Sequence, residues 1–198
     1  MPIRDALWAC PFCHAIDSIR TARRREACSR CGATFEPGPR ATIVAHPSGA
    51  PARARSVEEW EGDLPALDDA AAAGQGPVSA LVRRASAPRP VHAEGGLLGW
   101  AERFGPRIPA TLEIAGPFLR IQPGDGQPEE WPLAALTAVQ PSSSSVQLRR
   151  RDGVLISLAF PDGSVRLWEA RLQLAVRSAY RTAGRGEILE FHPTIRCR

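Results

Sequence analysis

Two pairs of cysteines near the start of the chain constrain its fold more than any other feature. Two residues separate Cys10 from Cys13 and Cys28 from Cys31, and fourteen residues lie between the pairs. A two-residue gap lets both thiolates of a pair face one ion, and two such pairs supply the tetrahedral sulfur set that Zn²⁺ accepts. The spacing therefore predicts one structural zinc ion with these four cysteines as its ligands.

The same cysteines have three alternative uses, namely disulfides, a redox CxxC motif or an iron site. Disulfides need an oxidising compartment, and residues 1–10 contain no apolar core of signal-peptide length. A redox CxxC normally begins a helix in a thioredoxin-like unit, and the surrounding sequence lacks that pattern. Iron in a four-sulfur site stays chemically open. Four thiolates leave no open coordination position for water, which argues against catalysis at this metal.

The cysteine arrangement resembles the zinc-ribbon family over roughly the first 45 residues. The resemblance implies a small β sheet around the two knuckles. In that sheet, residues 7–9 would form a strand entering the first knuckle, residues 16–25 would form a hairpin, and residues 33–35 and 41–44 would continue the sheet. The zinc-ribbon resemblance indicates metal binding specifically, but it does not indicate a particular function.

The composition predicts a globular, bacterial, cytoplasmic protein. The chain has 198 residues, of which 43% are hydrophobic, and its formal charge is +4. All 25 basic residues are arginine, and asparagine is also absent, which indicates the codon bias of a GC-rich genome. Arginine content alone is therefore poor evidence for nucleic-acid binding. No apolar stretch has the length needed to span a bilayer, and no export signal is evident.

Residues 46–77 are rich in Ala, Gly, Pro and acidic side chains, which predicts a linker between two domains. Within this segment, Ser56 and Glu59 form a capping-box pattern that predicts a short helix through Trp60, ended by Pro65. A tryptophan in a polar segment usually needs a surface to lie on. We expect this helix to pack against one of the domains.

Residues 78–198 predict a second, mainly β domain. Short apolar runs separated by Gly and Pro turns predict an antiparallel meander, and a turn at 151–153 predicts a tight hairpin. Ser164 is a predicted N-cap, and apolar residues from Trp168 onward recur at helical spacing. The polar residues between them, including Glu169, are expected to form the solvent-exposed face of this helix. Residues 188–191 are expected to add a last strand. The predicted strands cover residues 78–82, 110–114, 118–121, 136–139, 146–148 and 154–160.

This element order, with a tryptophan near the start of the last helix, resembles the pleckstrin-homology-like superfold, including bacterial PH and GRAM-type domains. The expected fold is therefore mainly β: a small zinc ribbon over residues 1–45 and an antiparallel PH-like barrel or roll over residues 78–198, capped by one C-terminal α-helix. In that family the cationic cluster of lipid binders lies on the first two strands and their loop, which here implies Arg83, Arg84 and Arg89.

Three arginine clusters are candidate contacts for anions or partners. The alternative for each is a solvated loop or a protected sheet edge. The candidate residues are Arg23, Arg24 and Arg25 between the knuckles, Arg83 and Arg84 on the first strand of the second domain, and Arg149 and Arg151 beside the hairpin turn.

The chain contains no GxxxxGK[ST], GxGxxG, GxSxG or HExxH motif, and its four histidines are scattered. This pattern predicts a protein that is not an enzyme and has no small-molecule substrate. The leading hypothesis is a zinc-binding scaffold or adaptor for protein partners or for the anionic inner face of the membrane. The alternative is a nucleic-acid-associated ribbon that uses the inter-knuckle arginines, and a third hypothesis is a small enzyme with a pocket in the second domain.

Overall fold

The computed structural model describes residues 2–22, 25–67, 76–93, 95–142 and 144–185. Two antiparallel sheets dominate it, and each has its own hydrophobic core. None of the helices in this part of the chain combines the length and the apolar character that a bilayer crossing requires.

The first module is a five-stranded meander with the strand order β1-β2-β3-β4-β5 and a short helix before and after it. Its sheet follows the sequence order, so neighbours in the chain pair directly. The elements are α1 (Ile3–Ala6), β1 (Ile19–Ala22), β2 (Arg25–Cys28), β3 (Thr34–Pro37), β4 (Thr42–His46), β5 (Arg53–Ser56) and α2 (Val57–Glu61).

The capping box predicted for the short helix α2 is present. The Ser56 hydroxyl accepts a hydrogen bond from the Glu59 N–H at 3.2 Å, and the Glu59 carboxylate accepts one from the Ser56 N–H at 2.7 Å. The reciprocal pair satisfies backbone donors that the first turn of a helix leaves free. In this capped helix Trp60 lies fully inside the core of the first module, so the predicted docking of the helix is confirmed. The segment predicted as a linker thus adds a strand and a helix to the first sheet.

Residues 7–9, which the ribbon resemblance implied to be a strand, do not form one. Of these three residues only Ala9 makes a β-bridge, to Ile16, and the helix α1 ends just before them at Ala6. Ala6 and Leu7 are buried instead in the core around Phe35, where a helical turn covers one end of the small sheet. The hairpin between the knuckles and the strands that follow it are present as β1 to β4.

The second module is a seven-stranded antiparallel sheet with the order β11-β10-β9-β6-β14-β13-β12. Its first strand lies in the middle, because β6 pairs with both β9 and β14. Its strands are β6 (Val78–Arg84), β9 (Ile108–Ala115), β10 (Phe118–Pro123), β11 (Glu129–Pro132), β12 (Leu136–Ser142), β13 (Ser145–Arg150) and β14 (Leu155–Ala159), and a separate hairpin is formed by β7 (Arg89–Ala93) and β8 (Gly96–Ala101).

This seven-stranded sheet is open. Over the described residues β11 and β12 are its two edges and do not pair with each other, so the sheet is not a closed barrel. The C-terminal helix α3 (Val165–Thr182) packs on it. The mainly β class and the single C-terminal helix are therefore confirmed, whereas the described strands do not close into the barrel that was one of the two predicted forms.

Helix α3 begins and packs where the sequence predicts. The Ser164 hydroxyl accepts a hydrogen bond from the Leu167 N–H at 3.3 Å, which makes Ser164 the N-cap. The Trp168 ring stacks on Phe160 with ring centres 4.9 Å apart, and both rings are buried. Gly184, with a φ of 63°, follows the end of the helix in the left-handed conformation that favours glycine. The strand expected at 188–191 lies outside the described residues.

The first module contacts the start of α3. The Asp5 carboxylate on α1 accepts a hydrogen bond from the Val165 N–H, and Glu61 lies 3.8 Å from the Arg166 guanidinium. Glu169, predicted on a wet face, is buried. That part of the prediction is wrong, because helical periodicity shows which residues share a face and not whether that face is exposed to solvent.

Candidate metal centre

The four cysteines of the two CxxC pairs meet at one point. Their sulfur atoms all lie within 4.8 Å of one another, and the Cys10–Cys31 and Cys13–Cys28 sulfur pairs are 3.6 Å apart. Four sulfurs placed tetrahedrally about 2.3 Å from one Zn²⁺ are separated by about 3.8 Å. The donor set and its spacing therefore fit one metal ion, consistent with zinc.

The two knuckles position their sulfurs with the same backbone device. In the first, the His14 N–H donates to the Cys10 carbonyl at 2.8 Å, and in the second the Gly32 N–H donates to the Cys28 carbonyl at 3.0 Å. Both residues have a positive φ, 56° at His14 and 75° at Gly32. Glycine adopts this left-handed conformation readily, whereas histidine does so at a steric cost. Each turn brings its two thiols to the same side of the chain.

The electrostatics of the cluster favour a thiolate at Cys28. Burial raises the pKa of its thiol, but contacts with the Ser18 hydroxyl and the N–H groups of Cys31 and Arg30 outweigh burial and lower the pKa to about 6. Burial raises the pKa of Cys10, whose side chain is fully enclosed. The cluster therefore has one sulfur ready to bind a cation and at least one that must lose a proton to do so.

Ser18 is a residue of this site that the sequence did not reveal. Its hydroxyl lies 3.3 Å from the sulfur of Cys28 and 2.7 Å from the carbonyl oxygen of Ala15. The serine is ten residues from the cysteine in the chain, and no spacing rule connects the two. Only the pairing of β1 with β2, which places Ile19 opposite Cys28, brings the hydroxyl to the sulfur.

Arg83 and Arg84, two candidate contacts on β6, are used within the second module. The Arg83 guanidinium donates to the carbonyl oxygens of Gly105 at 2.9 Å and Phe104 at 3.1 Å. The Arg84 guanidinium pairs with the Glu129 carboxylate. The structure therefore gives both arginines a role in holding neighbouring chain segments.

Arg149 likewise pairs within the module, with Glu102 at 2.7 Å, and Arg151 lies exposed in the turn between β13 and β14. Arg25, at the start of β2, is also exposed. Arg23 and Arg24 lie outside the described residues. Of the candidate arginines that the structure describes, none forms a hydrogen bond or ion pair with the cysteine cluster or with another candidate.

An open groove of about 580 Å³ lies between α3 and the turn after β9. Its lining includes Ile114, Leu174 and Ala179, and its polar side chains are the hydroxyls of Ser178 and Thr182. Comparison with known protein families, with curated proteins and with solved structures finds no match to this chain.

Proposed function

We propose that this chain binds one structural zinc ion through Cys10, Cys13, Cys28 and Cys31 and acts as a non-enzymatic scaffold or adaptor. The observation that carries the proposal is the convergence of four sulfurs at tetrahedral spacing. A site with four protein ligands is closed, so its metal contributes folding free energy and has no free position for substrate or water. The first module is then a zinc ribbon, extended by β5 and α2.

The second module supports the proposal as a PH-like domain. Its antiparallel strands are followed by one helix, in the order that the resemblance implies, and Trp168 near the start of that helix is buried against the sheet. Domains of this kind serve as binding modules, which is consistent with a scaffold role. Because the sheet is open, the surface that α3 does not cover, including the two edge strands, is accessible to solvent or to a partner.

Several exposed arginines are available to contact a partner. Among the described residues, no carboxylate forms an ion pair with Arg25 or Arg30 on the first module, or with Arg107 or Arg151 on the second, and all four side chains are exposed. Exposed guanidinium groups favour acidic proteins or anionic lipids as partners. Reduced cysteines are consistent with a cytoplasmic protein. In that compartment, the scaffold could act at the anionic inner face of the membrane.

The metal assignment is tested by elemental analysis and cobalt substitution. We expect one zinc per chain and, after exchange with Co²⁺, the sulfur-to-cobalt absorption of a four-thiolate site. Cys13→Ser and Cys31→Ser should each lose this signature, whereas Cys197→Ser is the matched control and should keep it. A full signature in either knuckle variant, or no metal in reduced protein, would overturn the assignment.

The partner class is tested with the zinc-loaded protein. Binding to vesicles that contain phosphatidylglycerol, but not to vesicles of phosphatidylcholine alone, would support the membrane form of the scaffold. Binding to DNA or RNA that falls steeply with salt and is lost on changing Arg23, Arg24 and Arg25 to Ser would replace the proposal with the nucleic-acid alternative.

A further inference from the structure

The groove between α3 and the turn after β9 is an apolar surface that the described chain leaves open. Its volume of about 580 Å³ lies within the range of roughly 300–1,000 Å³ that is typical of clefts with a bound occupant. Apolar residues such as Ile114, Leu174 and Ala179 line it, and none of the described lining residues carries a charge. The groove therefore favours an apolar occupant, and it offers no cation to hold an anionic lipid or a phosphate.

The end of α3 brings the chain to the rim of this groove. The Gly184 N–H donates to the Arg181 carbonyl at 3.0 Å, and the Arg185 N–H donates to the Tyr180 carbonyl at 3.0 Å. These two hydrogen bonds form a Schellman motif, which ends the helix and turns the chain away from its axis. The Arg185 guanidinium also donates to the carbonyl oxygen of Ala134, a lining residue of the groove, at 2.6 Å. The last described residue is thus fixed beside the groove.

The residues that follow Arg185, here called the tail (residues 186–198), contain a suitable apolar segment. Residues 188–191 have the sequence Ile-Leu-Glu-Phe, for which a strand is predicted. Successive side chains of an extended chain point to opposite sides, so Leu189 and Phe191 would share one side and Glu190 would lie on the other. The segment can therefore present two apolar side chains to a surface while its carboxylate faces water.

The tail is long enough to return along the helix. The part of α3 that lines the groove runs from Leu174 to Ala183, which is about 14 Å at 1.5 Å per residue. Residues 186–191 in an extended conformation cover about 20 Å at about 3.3 Å per residue. The apolar segment of the tail therefore reaches the groove from its attachment at Arg185.

We propose that residues 186–191 fold back along α3 and that Leu189 and Phe191 fill the groove. The short covalent connection supports the chain's own tail as the occupant, because a short linker gives an effective concentration in the millimolar range. A separate partner would have to displace the tail in order to bind. The tail is then a built-in competitor for any apolar segment that enters this groove.

Binding of a labelled synthetic peptide of residues 186–198, with the change Cys197→Ser, tests the proposal on the full, zinc-loaded chain. The tail of the wild-type chain already fills the groove, so the peptide should bind weakly. Leu189→Ser combined with Phe191→Ser in the chain empties the groove, and this variant should bind the peptide at least about tenfold more tightly. Ile195→Ser changes an apolar residue of the tail outside the docked segment and should behave like the wild type. Fluorescence anisotropy of the peptide measures all three affinities.

A second change places the binding site. Ser178→Arg puts a long charged side chain into the groove and, in the variant with serine at 189 and 191, should weaken peptide binding more than about tenfold. Gln140→Arg adds the same charge at an exposed position of β12 outside the groove and should leave the binding unchanged. Equal affinities of the wild type and the double-serine variant, or binding that Ser178→Arg does not weaken, would overturn the proposal.

Sedimentation velocity separates a tail in its own groove from a tail exchanged between two copies. The wild-type chain should sediment as a monomer at the concentrations of the binding experiment. A wild-type dimer that dissociates when Leu189 and Phe191 are changed to Ser would overturn the intramolecular arrangement. Zinc content and circular dichroism are measured on the same samples, so failure of the tail contact is distinguished from loss of the metal site or of the fold.

Discussion

Trp60 connects several parts of the first module at the scale of single residues. Its indole N–H donates to the Ile43 carbonyl at 3.0 Å, its ring meets Phe12 edge-on at 5.7 Å, and the Arg55 guanidinium lies 5.0 Å from the ring centre. We expect Trp60→Ala to lower the free energy of unfolding of the zinc-loaded protein by about 3–5 kcal/mol, the usual cost of emptying a buried aromatic site. Urea unfolding monitored by circular dichroism measures it.

A matched variant separates packing from hydrogen bonding at this position. Trp60→Phe keeps an aromatic ring but leaves the Ile43 carbonyl without its donor, so its cost should be smaller, about 1–3 kcal/mol. Trp8→Phe, at a half-buried position of the same module, serves as the control for removing an indole. Equal unfolding midpoints for Trp60→Ala and the wild type would contradict the role assigned to Trp60.

The different pKa directions of the cysteines predict how metal binding depends on pH. Cys28, with a pKa of about 6, is already a thiolate at neutral pH, whereas burial raises the pKa of Cys10 and of Cys31. Both of those thiols must release a proton when the ion binds, and each proton released adds a factor of ten per pH unit. We expect the apparent zinc affinity to rise at least about 100-fold per pH unit between about pH 6 and 8.

Competition with a chromophoric chelator at several pH values measures this dependence. The buffer should have no affinity for zinc, and the chelator's own pH dependence has to be determined in parallel. An apparent affinity that stays constant over the range would mean that Cys10 and Cys31 are already ionised, and the assigned effect of burial would be wrong.

Sequence reasoning found residues whose chemistry depends on local spacing. Cys10 and Cys13 carry their own signal, because a two-residue gap by itself brings two sulfurs to one side of a turn. Ser18 carries none, since it reaches Cys28 only through strand pairing. The pairing of Arg84 likewise has no signal in the sequence, because its partner Glu129 is 45 residues away in the chain.

At the scale of elements, the sequence predicted those strands that bury one of their two faces in the core. In β10 and β12, apolar residues coincide with buried positions, and a core-facing pattern is visible without knowledge of the partner strand. The strands β5, β7, β8 and β11 were missed. Strand β5 carries the polar sequence RARS and β7 contains Pro90, so neither shows apolar alternation. Such strands are specified by the neighbours they pair with, which a linear pattern does not contain.

The N-terminus of α3 gives a prediction at this scale. Ser164 is 1% exposed, so the Leu167 N–H that it caps has no access to a replacement water. Ser164→Ala should lower stability by about 1–2 kcal/mol, at the upper part of the range for N-cap loss. The corresponding fall in melting temperature is about 2–8 °C for a chain of this size.

Ser178→Ala is the matched control, because Ser178 is exposed on the same helix and its hydroxyl caps no helix end. Thermal unfolding followed by circular dichroism compares the two variants. If Ser164→Ala has the same melting temperature as Ser178→Ala, the cap contributes nothing to stability, and α3 is held by its apolar face alone.

At the scale of the whole molecule, the start of α3 lies against both modules. Its apolar residues, such as Trp168 and Leu172, face the seven-stranded sheet, while the first module contacts its first turns. Arg171 is 1% exposed, and burial lowers its pKa while Asp17 of the first knuckle opposes the shift. The sequence predicted two domains but not that both modules contact the start of α3, since periodicity does not say what covers a polar face.

This arrangement predicts that the metal site is coupled to the second module. Asp17, which acts electrostatically on Arg171, lies between the first knuckle and β1, and Asp5 of α1 accepts a hydrogen bond from the Val165 N–H. Both interactions therefore depend on the fold that the cysteines hold. We expect removal of zinc by a strong chelator to release the first module and to expose the first two turns of α3. Hydrogen exchange followed by mass spectrometry should then show faster exchange at residues 163–171, with β12 and β13 still protected.

Two comparisons isolate the metal as the cause. Cys28→Ser should reproduce the exchange pattern of the chelated protein without any chelator, and Cys197→Ser should match the zinc-loaded wild type. Because the strands β12 and β13 pair with each other and contribute buried residues to the core under α3, their protection reports whether the second module persists. If residues 163–171 stay protected while the first module exchanges freely, the two modules are energetically independent, and the zinc ion stabilises the first module alone.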